Sequence, residues 1–149
     1  MKLRKRITHI NNRIMTQEDK ELLLKDLSAR LPYWVMVLNT SEGANEVCVL
    51  DSVLTSIKYK ENLFVGLTTP DDSMMTGIEM VKPYLRSMDS MTEEEKEEYE
   101  MLQTYPGFKT NHTDLTDMYD WLNAHHFDYR GLIEKGLALE AKEGMYNKK

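Results

Sequence analysis

His125 and His126 are adjacent, and Asp128 follows one residue later. Two imidazoles and a carboxylate form a donor set for zinc or non-haem iron, so metal-dependent chemistry would be sought here first. The spacing opposes it. Neighbouring residues on a helix diverge by about 100°, and both rings would meet one ion only if the helix broke at that point. A histidine near a helix C-terminus can instead bond the last carbonyls and complement the negative end of the dipole. Helix-end packing is therefore the preferred reading. A metal-dependent enzyme using His125, His126 and Asp128 stands only as a second alternative, with no metal ligands assigned. His112 could join such a site only through the fold, and His9 lies in a basic leader.

Cys48 alternates with Val47 and Val49, as expected of a small buried hydrophobe in a strand. A nucleophilic thiol would need a histidine or a helix start beside it, and no motif supplies one. Glu93, Glu94, Glu95, Glu97, Glu98 and Glu100 form an acidic run. Carboxylates act as an acid–base pair only where their surroundings separate their pKa values, so the run reads as a solvated face or as a docking surface for a basic partner. Tyr33, Trp34, Tyr59, Phe64 and Tyr84 lie in or beside expected strands without interleaved arginines, which favours sheet packing over base stacking. Met74, Met75, Met80, Met88 and Met91 would fill loops and core, or an adaptable binding surface. The chain has no P-loop, dinucleotide fingerprint, nucleophile elbow or H-E-x-x-H motif. No catalytic residue and no cofactor is assigned.

The elements that would position these residues follow from composition and pattern. The 149 residues are 41% apolar and 30% charged, which suits one domain large enough to bury a core unaided. The single cysteine excludes an internal disulfide and a multi-thiolate zinc site. No apolar run approaches the ~20 residues of a membrane span. The net charge is −6, but Lys2, Arg4, Lys5, Arg6 and Arg13 precede the first acid; setting those five positive charges aside leaves −11 on the remainder. A body this acidic repels phosphate backbones, whereas the leader could act as a basic arm for nucleic acid or an acidic partner. No apolar stretch follows the leader's charges, so it is not a secretory signal. Residues 1–14 read as a flexible basic extension, 15–141 as one domain, and 142–149 as a polar tail that frays.

Within the domain, Thr16 with Asp19 can cap a helix whose apolar face is Leu23, Leu24, Leu27 and Leu31, stopped by Pro32. Tyr33–Leu38 reads as a strand, Glu46–Ile57 as a longer strand bent near Asp51-Ser52, Lys60–Asn62 as a turn, and Leu63–Leu67 as a further strand. Thr68–Gly77 reads as a loop; Ile78, Met80 and Val81 either close the sheet or form one helical turn. Ser90 or Thr92 caps a second helix, Thr92 with Glu95 matching the capping box, and this helix ends at Tyr105-Pro106-Gly107. Thr113 caps a third helix with Leu115, Met118, Tyr119 and Leu122 on one face. Asp128 caps a short fourth helix over Tyr129–Lys135, closed by Gly136.

Three segments carry a resemblance: TQEDKELLLKDLSARLPY at Thr16–Tyr33, KPYLRSMDSMTEEE at Lys82–Glu95, and DWLNAHHFDYRGLIEKGLALEA at Asp120–Ala141. Together they resemble an uncharacterised family of small proteins from gut Bacteroidota, their bacteriophages and mobile elements. The likeness spans most of residues 15–146, and Trp34–Val81 follows it only in pattern. Members of that family typically begin at the equivalent of Met15, which fits residues 1–14 as an extension. Ser87 departs from the family's proline after K-P-Y-L-R, a change that would loosen the joint before the second helix. The resemblance implies an origin and no reaction.

The sequence therefore predicts an α+β fold. An N-terminal amphipathic helix would pack on a small antiparallel meander of three or four strands, with an SH3-like curl as one form, and two to three C-terminal helices would close the other side. The expected function is a non-enzymatic protein-interaction or regulatory protein in the bacterial host cytoplasm. Its contact residues would be Tyr33, Trp34, Tyr84, Arg86, Trp121, His125, His126, Asp128, Tyr129 and Arg130. A nucleic-acid accessory factor is the first alternative, with the basic leader or Lys82 and Arg86 touching phosphates.

Overall fold

Thr16 opens the first helix as the capping pattern requires. Its hydroxyl accepts the Asp19 N–H at 3.1 Å, and the Asp19 carboxylate accepts the Thr16 N–H at 3.3 Å. The computed structural model describes residues 15–55, 63–105 and 115–146. The leader with His9, Ile57 to the Lys60–Asn62 turn with Lys58 and Tyr59, Pro106-Gly107, His112 and Thr113 all lie outside the described residues. Helix α1 spans Gln17–Arg30. Pro32 does not end it in the expected way. Leu31 keeps helical angles, and the chain tightens into a 3₁₀ turn over Leu31–Tyr33 with Pro32 in its first turn. Trp34 then reverses the chain in the left-handed region, at φ +59°.

This turn shortens the first strand. Instead of Tyr33–Leu38, β1 spans Met36–Asn39, followed by β2 (Glu46–Thr55), β3 (Leu63–Thr68), β4 (Ser73–Gly77) and β5 (Val81–Leu85). The register of β2 against β3 slips between Leu50 and Ser52, a bulge that bends the strand. Part of the expected Thr68–Gly77 loop is the strand β4. Thr69 and Asp72 close a turn through Thr69 N–H to the Asp72 carbonyl at 2.8 Å, and the chain pairs back on β3. Ile78–Met80 forms one 3₁₀ turn and then enters β5.

With a sixth strand, β6 (Leu139–Glu140), the strand order is β4-β3-β2-β1-β5-β6, which overturns the small antiparallel meander. Among the described residues the sheet has six strands and is mixed. Strand β5 returns to the free edge of β1 rather than to β4, aligning Pro83 with Val37, while β6 joins β5 in parallel. Two residues carry too little periodicity to announce a strand, and a strand's place across the sheet leaves no local mark. A closed SH3-like curl is likewise absent from the described residues; this is a sheet with β4 and β6 at its edges.

Helix α1 covers one sheet face. Leu23 and Leu27 are fully buried against Val35, Val37, Cys48, Leu50, Val65, Leu67, Ile78 and Val81. Helices α2 (Glu93–Thr104) and α3 (Thr116–Ala124) close a second core of Met91, Leu102, Met118, Trp121, Leu122 and Phe127. The Thr92–Glu95 capping box starts α2. The expected fourth helix is replaced by turns. Both Asp128 oxygens accept backbone N–H groups, from Leu132 at 2.8 Å and Ile133 at 2.9 Å, and Gly136 turns at φ +77° before the helix can propagate. Beyond β6, a Lys142–Met145 turn brings Tyr146 onto the sheet. Its hydroxyl donates to the Tyr84 carbonyl at 2.7 Å and accepts the Met36 N–H at 2.9 Å.

Candidate functional site

The C-terminal end of α3 is an aromatic and cationic stack. The Trp121 and His125 rings lie 4.2 Å apart and Trp121 and Phe127 5.7 Å apart, while Tyr99 of α2 reaches Trp121 at 5.8 Å. The Arg86 guanidinium sits 4.2 Å from the Phe127 ring centre and grips Glu95 with two bonds, at 2.9 and 2.7 Å. Those bonds hold the Glu95 carboxyl below its usual range, against the opposing effect of burial. Strand β5 places Arg86 by bridging to Phe127, with the Arg86 N–H on the His126 carbonyl at 2.7 Å and the Asp128 N–H on the Arg86 carbonyl at 2.8 Å.

The histidines and Asp128 do not converge. His125 Nδ1 lies 2.9 Å from the Trp121 carbonyl one turn earlier, the helix-end arrangement its position allows. His126 leaves the helix at φ +65° and stacks on Tyr146 at 3.6 Å, while both Asp128 oxygens are taken by backbone. Among the described residues, no three His, Cys, Asp or Glu side chains gather so as to hold a metal. Cys48 is buried, and burial first, then the nearby Glu46 charge, push its thiol pKa up, the opposite of an activated nucleophile.

A second cluster joins α1 to the segment after α3, and only part of it was foreseen. Asp26 and Arg30 are both fully buried and paired, Arg30 Nε to Asp26 Oδ2 at 2.8 Å. Arg130 takes the other Asp26 oxygen at 3.1 Å through Nη1, which also reaches the Tyr129 hydroxyl at 2.8 Å. Tyr129 in turn donates to Asn123 Oδ1 at 2.9 Å, and Arg30 donates to the Phe127 carbonyl at 2.6 Å. The spacing held a signal. Residues 23, 26, 27 and 30 form one helix stripe, so Asp26 and Arg30 share the face that buries Leu23 and Leu27.

The ten expected contact residues thus separate. Tyr84, Trp121, His126 and Asp128 are buried in the fold. Arg86 and His125 are half-buried in the stack, and Tyr129 and Arg130 are half-buried in the Asp26 cluster. Tyr33 is half-buried; burial, then the charge of Asp120, raise its phenol pKa. Trp34 stands apart, 71% exposed at the α1–β1 turn. Among the described residues, no helix is long and apolar enough to cross a membrane. No protein-family model, curated protein or solved structure matches the chain.

Proposed function

We propose that this chain is a non-enzymatic protein-interaction or regulatory protein of phage or mobile-element origin, working in the cytoplasm of a bacterial host, with Trp34 as its anchor. The observation that carries this reading is the exposure of Trp34 on a left-handed backbone. A tryptophan gains most by leaving water, and the left-handed region costs a bulky residue about 1–2 kcal/mol. Tryptophan is also among the commonest residues at binding hot spots. The acid–base side chains, by contrast, are engaged in holding turns and stacks. Exposed Glu93, Glu94, Glu97 and Glu100 on α2 supply negative charge to complement a basic partner.

The test is affinity capture from the native host with the wild-type chain and with Trp34→Ala, followed by titration of the captured protein. Loss of about 2 kcal/mol or more, roughly thirtyfold in affinity, is expected from Trp34→Ala. Equal affinity of the two chains would overturn the anchor. Capture abolished by nuclease would replace this reading with the nucleic-acid one.

A further inference from the structure

An open pocket of about 440 Å³ lies between α1 and the end of α3, lined by Lys25, Ala29, Tyr119, Asn123, Tyr129 and Arg130. Its lining holds two cations and no carboxylate. The bonded acid behind it, Asp26, is divided between Arg30 and Arg130, so two guanidinium groups share one negative charge. Two cationic groups here also stand without an acceptor. Arg30 Nη1 is buried without a hydrogen-bond acceptor among the described residues. Lys25 is exposed and makes no ion pair among them. This carboxylate-free lining sits on a chain of net charge −6. Two aromatic rings also line it: Tyr119 and Tyr129 lie 5.5 Å apart and tilted by 52°, and the Arg130 guanidinium is 4.7 Å from the Tyr129 ring centre.

We infer that this pocket binds a small phosphate monoester carried on a planar ring. A phosphate dianion matches the two cations of the lining, with Lys25 as a mobile point charge and Arg130 as a fixed, planar donor. Bare phosphate would leave most of the volume empty, whereas a ring beside it packs on the exposed Tyr119 ring, and Asn123 offers an amide to orient a polar substituent. The site is separate from the Trp34 surface, and its failure would leave the proposed partner contact standing.

The experiment titrates the full-length chain with phenyl phosphate and with adenosine monophosphate, which distinguish a simple aryl ester from a nucleotide. Inorganic phosphate and benzyl alcohol serve as half-ligands, and the readout is amide shifts in ¹H–¹⁵N spectra. Saturable shifts at residues 25, 119, 123, 129 and 130 are expected with at least one ring-bearing ester, and weaker binding of both half-ligands. Lys25→Gln and Tyr119→Ala, both at exposed positions, should each lower affinity about fivefold to tenfold, while Lys96→Gln on α2 should leave it unchanged. Absence of saturable binding, shifts centred elsewhere, inorganic phosphate binding as tightly as the esters, or no loss in Lys25→Gln would each overturn the site.

Discussion

Replacing Asp26 with asparagine tests the energetics of the buried cluster directly. The exchange keeps the shape and removes the charge that two arginines share, at 2.8 and 3.1 Å. Arg30 is fully buried and cannot turn to water. Removing one partner of a buried ion pair costs about 3–5 kcal/mol, because it leaves the other charge uncompensated. For a chain of this size, about 2–4 °C of melting temperature follows each kcal/mol, so the expected fall is roughly 6–20 °C. Arg30→Met should cost less, about 1–3 kcal/mol, because Asp26 keeps Arg130 and the principal new loss is the donor to the Phe127 carbonyl. The double change Asp26→Leu with Arg30→Met should recover much of the Asp26→Asn loss, since it removes both buried charges and leaves only Arg130, whose side chain is partly exposed. Urea unfolding followed by far-ultraviolet circular dichroism gives all three values by linear extrapolation. An Asp26→Asn cost below about 1 kcal/mol, the range of surface pairs, would refute the reasoning; so would Arg30→Met proving the worse of the two.

Three further outcomes follow from the geometry. Arg86 holds the Glu95 carboxyl below its ordinary 4.5, so this group contributes stability above that pH, which is lost as pH falls through the lowered value; Glu95→Gln should flatten the acid limb of melting temperature against pH. Burial pushes the Tyr146 phenol well above its ordinary 10.0, so the folded state favours the neutral form and stability falls as pH rises past 10; Tyr146→Phe should make that alkaline loss shallower, with Tyr33 sustaining a remainder, while costing about 1–3 kcal/mol at neutral pH because the Met36 N–H loses its acceptor. Trp34→Asn should raise unfolding free energy by up to about 1 kcal/mol in the same urea assay, because asparagine tolerates the left-handed region, while weakening partner capture.

The fold was legible wherever local chemistry decides local structure. The two capping boxes, Thr16 with Asp19 and Thr92 with Glu95, start α1 and α2, and the valine-rich Glu46–Thr55 segment is the long strand β2. Sheet order was not legible, because it is a long-range property. That Val81–Leu85 pairs with Met36–Asn39 is fixed by burial of Val81 and Leu85 beneath α1, and nothing within V-K-P-Y-L distinguishes that edge from the one beside β4. The expected helix over Tyr129–Lys135 failed for a different reason. An Asp at a helix start and a Gly at its end are also the ends of a turn, and here Asp128 binds the Leu132 and Ile133 amides, four and five residues on, where a helix cap would reach two or three.

The candidate sites were harder to read because the sequence draws attention to side chains by type, whereas a site depends on what remains exposed after the fold has used its share. His125, His126 and Asp128 are chemically the most conspicuous residues, and each is engaged, on the Trp121 carbonyl, the Tyr146 ring and the Leu132 amide respectively. Lys25 and Tyr119 are unremarkable in sequence, and they become interesting only because α1 and α3 set them on the rim of one pocket. Asp26 and Arg30 belong to neither group. Their i, i+4 spacing on the leucine face of α1 required burial, and a buried acid–base pair needs a further partner to complete it. Arg130 supplies that partner from across the fold, so the same ion cluster that ties α1 to the C-terminal segment also leaves the pocket beside it positively charged.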